Sequence, residues 1–303
     1  MKVSVIISVF SFDRLKEVID CVKSLELQSL FTEEILVVLD PDEELINFYK
    51  SKLPKTTKLV ISEKKGLSNA RNAGIRAAKG EIVAFIDDDA VAESDWLENL
   101  VKNYDDPSVV GVGGLITPKW KGKRPKWFSA ELNWVVGCSY LGLPKKKAFV
   151  RNVIGCNMSF RRTVFDKIGY FKSDVGRFGK NLLGSEEPEL STRILGKIPN
   201  SKIIYDPEAV VHHNVPKSRQ KISYLWRRSF YEGLNKAILV SSKKNSVTTL
   251  STENKYMKYI LRHSIPSRVK RCYRFKNLAQ LFILFVSFFA VFLGFVTGKI
   301  LRH

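Results

Sequence analysis

Four apolar runs in the first ninety residues, "VSVIISVF", "EILVVLD", "TKLVI" and "EIVAFID", alternate with segments whose apolar residues recur at helical period. The pattern predicts strands over 2–9, 34–40, 57–61, 81–87 and 109–115, and helices over 13–27, 42–52, 68–79 and 94–104. Strands this apolar, separated by helices, pack as an α/β fold: a mostly parallel sheet flanked by helices on both faces. Ligands of such sheets bind at the carboxyl ends of the strands. Two acidic features fall there, Asp40 after "EILVVL" and Asp87-Asp88-Asp89 after "EIVAFI".

The triple aspartate sits in a chain whose formal net charge is +20, and no cation lies near it in sequence. Adjacent carboxylates repel one another unless a cation or a strong donor set joins them. Helix capping explains them poorly, because the next helix is predicted to begin at Ser94, with Glu93 and Asp95 already at its N-terminus. Hard oxygen ligands suit Mg²⁺ or Mn²⁺ holding a substrate diphosphate. The preceding segment, "KKGLSNARNAGIRAAKG", places Ala70, Ala73, Gly74, Ala77 and Ala78 on one small-residue face that can lie close to a sheet. Its N-terminus, expected to be capped by Ser68, offers free N–H groups, and Arg71 adds a cation in the first turn. An anion fits there. Asp40 carries two readings, a cap for the helix after Pro41 or a ligand contact.

Further along, "LLGSEEPELSTRI" brings Glu186, Glu187 and Glu189 to a helix start, where acids favour the dipole and where one could serve as a general base. An apolar strand ends at His212-His213. "TPKWKGKRPKWF" sets five cations among Trp120, Trp127 and Phe128, a mixture suited to a membrane interface or a phosphate-bearing lipid. The four cysteines form no CxxC pair, which argues against a disulfide framework or a zinc site and favours a reducing compartment.

The stretch 278–298, "LAQLFILFVSFFAVFLGFVTG", has 21 residues and no charge. As a helix it is about 31 Å long, against roughly 30 Å of bilayer hydrocarbon, and it is expected to span a membrane. Residues 254–303 carry ten cations and no acid. Basic residues before a span mark the cytoplasmic side and attract anionic headgroups. Nucleic acid is a rival partner for so much charge, but the adjoining span makes lipid the simpler one. The expected organisation is a catalytic domain over 1–241, a basic juxtamembrane segment over 242–276, a transmembrane helix over 277–298 and a short tail over 299–303.

"VSVIISVF", "ILVVLD", "GLSNARNAGIRAAKGEIVAFIDDDA" and "NMSFRRTVFDKIGYF" together resemble the signature of the family 2 glycosyltransferases, which have the type A nucleotide-sugar fold. "GGLITPKW", "RPKWF", "NWVVGCSYLG", "VRNVIGCNMSF" and "GSEEPEL" resemble archaeal enzymes that extend dolichyl-phosphate-linked glycans, such as the glucosyl-dolichyl phosphate glucuronosyltransferases. The resemblance implies that Asp40 contacts the uracil of a UDP-sugar and Asp87 the ribose. By the same resemblance Asp89 would bind the Mg²⁺ or Mn²⁺ at the diphosphate, with Asp88 placed between Asp87 and Asp89, and Arg71 would support the nucleotide or its phosphates. Glu187 takes the place of the catalytic base, with Glu186 and Glu189 as competitors, and His213 stands where enzymes of this fold can supply a further metal ligand. Processive synthases of the family carry a Gln-x-x-Arg-Trp pattern; here Trp226 precedes Arg227 and Arg228, which disfavours one.

The expected activity is inverting, metal-dependent transfer from a UDP-sugar to a hydroxyl of a lipid-linked glycan, by a single-pass protein of the cell membrane whose catalytic domain is cytoplasmic. A polyprenyl-phosphate monosaccharide synthase and an inactive nucleotide-sugar-binding scaffold are the alternatives.

Overall fold

The computed structural model describes residues 1–173, 184, 186–241 and 251–301. Runs rich in Val and Ile, whose branched side chains favour extended backbone, form the first strands. In chain order come β1 (Val3–Val9), α1 (Leu15–Glu26), β2 (Glu34–Leu39), α2 (Glu43–Lys50), β3 (Thr57–Ile61), α3 (Leu67–Ala77) and β4 (Ile82–Asp87). Then follow β5 (Ala90–Ala92), α4 (Trp96–Val101), β6 (Val109–Trp120), β7 (Ala148–Phe149), β8 (Asn157–Arg161), α5 (Thr163–Ile168), α6 (Glu186–Lys197) and β9 (Lys202–Val215). Four helices end the described chain: α7 (Ile222–Ser241), α8 (Ser251–Tyr259), α9 (Ile265–Val269) and α10 (Phe275–Ile300).

The strands join in the order β3-β2-β1-β4-β8-β6-β9-β5, with β7 also on β9. β1 pairs in parallel with β2 and with β4, and β2 with β3, as the alternation predicts. Beyond β4 the pairs are antiparallel. The chain leaves β1 toward β3 and returns on the other side of β1 as β4, so a crevice opens at the carboxyl ends of β1 and β4. The small face of α3 packs as expected: a Cβ on Gly74 would stand 2.6 Å from Ile6 Cγ2. Beside it, Ile6, Leu36, Val83, Phe85, Met158 and Phe160 are buried in one core cluster.

Several local expectations are corrected. Ser68 does not cap α3: the N-cap is Gly66, at φ 116°, and the buried Ser68 hydroxyl has no hydrogen-bond partner among the described residues. Such a φ suits glycine because a Cβ would clash with the backbone. Asp40 does not cap α2 either; Asp42 does, accepting from the Leu45 N–H at 3.1 Å. α4 begins at Trp96 rather than Ser94, because 90–92 join the sheet as β5 and the Glu93 N–H is taken by the Val210 carbonyl. β6 runs past residue 115 to Trp120.

The chain divides into two compact units, one of Met1–Thr117, Lys145–Asn181 and Glu186–His213, the other of Pro118–Pro144, Leu182–Ser185 and Asn214–His303. In the second unit α7 and α10 run side by side in the same direction. Ser229, Gly233 and Ala237 of α7 face Ser287, Gly294 and Gly298 of α10, small residues that let the backbones approach. A Cβ on Gly294 would lie 1.9 Å from the Phe230 carbonyl oxygen, and the Ser229 and Ser287 hydroxyls are 2.8 Å apart. Glu131 receives both arms of Arg268 at 2.8 Å and the Ser264 hydroxyl at 2.6 Å. Although burial opposes its charge, these bonds hold Glu131 below the usual carboxylate range.

Candidate active site

Everything that the sequence singles out for chemistry lies in the first unit, at the carboxyl ends of β1, β2 and β4 and on the segments facing them. Asp87 is the last residue of β4, beside Ser8 of β1. Asp89 leads into β5, whose Ala90 pairs with His213 of β9. That pairing brings His213 Nε2 to 3.2 Å from Asp89 Oδ1 and 4.0 Å from Asp87 Oδ2. Alternation along β9 turns His212 the other way, toward Glu93 and Thr117.

The three carboxylates do have a cation, one contributed from 74 residues away. Arg14, on the turn after β1, binds Asp88 and reaches Asp89 Oδ2 at 3.2 Å. Burial alone would weaken the guanidinium's hold on its proton, but the charges of Asp88 and Asp89 outweigh it and keep Arg14 above its ordinary value. For Asp88 burial wins and pushes the carboxyl up to about 7, with Arg14 pulling against it. Asp88, 2 % exposed, is turned into the protein against Arg14, while Asp87 is only half-buried.

Asp40, at the end of β2, accepts the Gly66 N–H at 3.1 Å and so ties the β2 terminus to the start of α3. Burial raises its pKa, and the Gly66 bond and Lys65 oppose the rise. Arg71, on α3, is buried and paired: its Nη1 is 2.9 Å from Glu187 Oε1 and 3.7 Å from Glu186 Oε1. Burial works against its charge, but Glu187, Glu186 and Asp87 together hold its pKa above the ordinary value. Arg71 is thus paired with the first turn of α6 and lies within electrostatic reach of Asp87. Of the three glutamates there, Glu189 is taken by Arg193 at 2.9 Å and Lys172 at 3.1 Å. Glu186 is 2 % exposed in its side chain and Glu187 15 %, so Glu187 is the more accessible of the pair on Arg71.

Three contributors escaped the reading of the sequence. Arg14 carries no motif, though its place after β1 puts it at the ligand-binding end of the sheet. Gly155 makes room for the ion pair: a Cβ there would lie 1.9 Å from Glu187 Oε1 and 2.4 Å from Arg71 Nη2. Cys156 brings its sulfur to within 4.8 Å of ligand atoms of Asp87 and His213. The Asp87, Asp89 and His213 donors fit a divalent cation, being two hard oxygens and an imidazole gathered in a small volume.

A curled α/β sheet with an acidic turn at its switch point defines a glycosyltransferase of type A fold. The chain belongs to glycosyl transferase family 2, whose profile matches residues 4–169. It is 32% identical over 305 residues to the glucosyl-dolichyl phosphate glucuronosyltransferase of Haloferax volcanii, an alignment covering 98% of this chain and 96% of that one. Among solved structures it resembles the mannosyltransferase PcManGT of Pyrobaculum calidifontis in complex with GDP-Man and Mn²⁺, at TM-score 0.61 and 18% identity over 98% of this chain and 88% of that one. It also resembles GalNAc-T7 with UDP, GalNAc and Mn²⁺, at TM-score 0.53 and 15% identity over 90% and 58%.

Proposed function

We propose that this glycosyltransferase moves a sugar from a UDP-sugar, with inversion, to a hydroxyl of a dolichyl-phosphate-type lipid-linked glycan at the cytoplasmic face of the membrane. The observation that carries the reading is the Arg71–Glu187 pair, in which the more accessible carboxylate of α6 meets a guanidinium that also feels the charge of Asp87. A sugar hydroxyl is a weak acid, so its attack on the anomeric carbon needs a carboxylate to take the proton as the bond to the diphosphate breaks. Glu187 fills that role, oriented by Arg71, and Glu186 adds negative charge that keeps the guanidinium in place. Asp40 receives the uracil edge and Asp87 the ribose. A divalent cation, Mg²⁺ or Mn²⁺, held by Asp89 with His213, would offset the charge of the diphosphate. Asp88 acts behind this line by anchoring Arg14. The relative whose name specifies a glucosyl-dolichyl phosphate acceptor supports a lipid-linked acceptor here.

A panel of UDP- and GDP-sugars with Mn²⁺, scored by calorimetry and then by transfer to short-chain polyprenyl-phosphate glycosides, tests this. Binding of UDP-sugars alone, and transfer that depends on Glu187, is the expected result. Transfer to bare polyprenyl phosphate that survives Glu187→Gln would instead identify a monosaccharide synthase. Binding without turnover on either acceptor would leave a nucleotide-sugar-binding scaffold.

A further inference from the structure

α10 has 26 residues, 18 of them in a window with a mean hydropathy of 2.5, enough by length and composition to cross a bilayer. Within its own unit, however, one face of the helix, from Gln280 to Gly298, is buried against protein. Near its start, Gln280 donates to the Lys126 carbonyl at 3.0 Å and accepts from Arg268 Nε at 3.1 Å. Further on, Ser287, Gly294 and Gly298 are sealed against Ser229, Phe230, Leu234 and Ala237 of α7. On α7, Glu232 binds Arg228 at 3.1 Å and Lys236 at 3.0 Å. If α10 crossed the hydrocarbon, these charges and the Glu131–Arg268 pair would be drawn in beside it, at a cost that membrane proteins meet only in bundle interiors or wet cavities.

The other face of α10 is open. Leu278, Phe282, Phe285, Phe289, Phe292, Val296 and Ile300 are all at least 36% exposed, and their spacing of three or four residues makes one apolar stripe about 33 Å long. The segment leading into the helix is exposed too, with Tyr273 and Phe275 set among Lys270, Arg271, Arg274 and Lys276. Aromatic and cationic side chains mixed in this way match the headgroup layer of an anionic membrane.

We infer that α10 lies in the plane of the membrane, with its phenylalanine stripe sunk into the boundary between headgroups and acyl chains of an anionic lipid surface and α7 behind it on the aqueous side. Attachment of this kind leaves both ends of α10 on one side of the bilayer. The inference does not depend on the proposed reaction, and its test reads topology rather than sugar transfer.

The test uses the full-length protein in sealed membrane vesicles from expressing cells and a membrane-impermeant thiol reagent. Cys272, exposed just before α10, is compared with Leu301→Cys, just after it, in a Cys272→Ser background. Labelling of both positions from the same face is expected. Labelling of one with protection of the other until the vesicles are permeabilised would show a span and overturn the inference. Nitroxides placed at 278, 285, 292 and 300 give an independent reading: equal, shallow depths support an in-plane helix, and a profile deepest at 285–292 overturns it. Phe285→Ser combined with Phe289→Ser is expected to weaken partition of the purified protein onto phosphatidylglycerol vesicles by about tenfold or more. Unchanged partition would also overturn the assignment, because the stripe would then not be what touches lipid.

Discussion

At Glu187 the proposal is most exposed to test. Glu187→Gln keeps the side chain's size but removes its basicity, so turnover is expected to fall by about 10²–10⁴ with donor affinity unchanged in calorimetry. Gly155→Ala leaves every charged group in place and still pushes into the Arg71–Glu187 pair. Misplacing a reacting group by about 1 Å can cost about 10² in rate, and a loss of that order in kcat with little change in donor Kd is expected. A variant with normal turnover would mean that the pair is not part of the reacting geometry. Asp89→Ala should remove the metal dependence of nucleotide binding, and unchanged Mn²⁺-dependent affinity in the folded variant would reassign the ligand. Arg14→Gln leaves Asp88 buried without its cation, so its carboxyl is expected to rise above about 7 and stay protonated, and the urea midpoint of the metal-free variant is expected to fall further below that of the parent as the pH rises above 7.

Among the elements, α7 and α10 decide how the second unit coheres. Gly294→Leu would drive a side chain into the Phe230 carbonyl. Overpacking of this kind costs about 1–3 kcal/mol or more, so a lower melting temperature with unaltered donor binding is expected. α7 also sets an acid limit. Burial disfavours the charge of Glu232, yet Lys236 and Arg228 outweigh it and bring its pKa down to about 2. A carboxylate held below its unfolded value stabilises the fold above about pH 4.5, and that stability is lost as the pH falls through the folded value. The metal-free protein should therefore lose about 2–3 kcal/mol between pH 4.5 and 2 through this group. Urea melts of Glu232→Gln across that window should be correspondingly flatter; an unchanged pH slope would show that the ion pairs are no stronger than solvated ones.

For the whole molecule, residues 254–301 supply more than an attachment. They contribute Arg268 and Ser264 to Glu131, and α10 to the small-residue seam on α7. A chain ending at Glu253 is expected to bind UDP-sugar through the first unit while the second unit shows weakened hydrogen-exchange protection along α7. Full protection of α7 in the shortened chain would show that α10 is dispensable to its folding.

What the sequence determined by itself is what local pattern can encode. The period of apolar residues placed β1 to β4 and the helices between them, and the rule that ligands gather at strand ends picked out Asp40 and Asp87 to Asp89. The spacing of "SEEPE" put Glu186 and Glu187 on a helix start. Boundaries slipped where tertiary bonds compete with local ones: Asp40 is drawn to Gly66 across 26 residues instead of capping the helix beside it, and 90–92 pair with β9 instead of leading directly into α4. Only the tertiary structure could decide which cation meets the aspartates, since Arg14 approaches from another strand end, and which glutamate meets Arg71, 116 residues away in the chain. The same holds for α10. Its hydropathy is a property of its own residues, but whether lipid or protein surrounds it depends on where α7 lies, and the pairing of Ser229, Gly233 and Ala237 with Ser287, Gly294 and Gly298 forms only when the two helices meet in space.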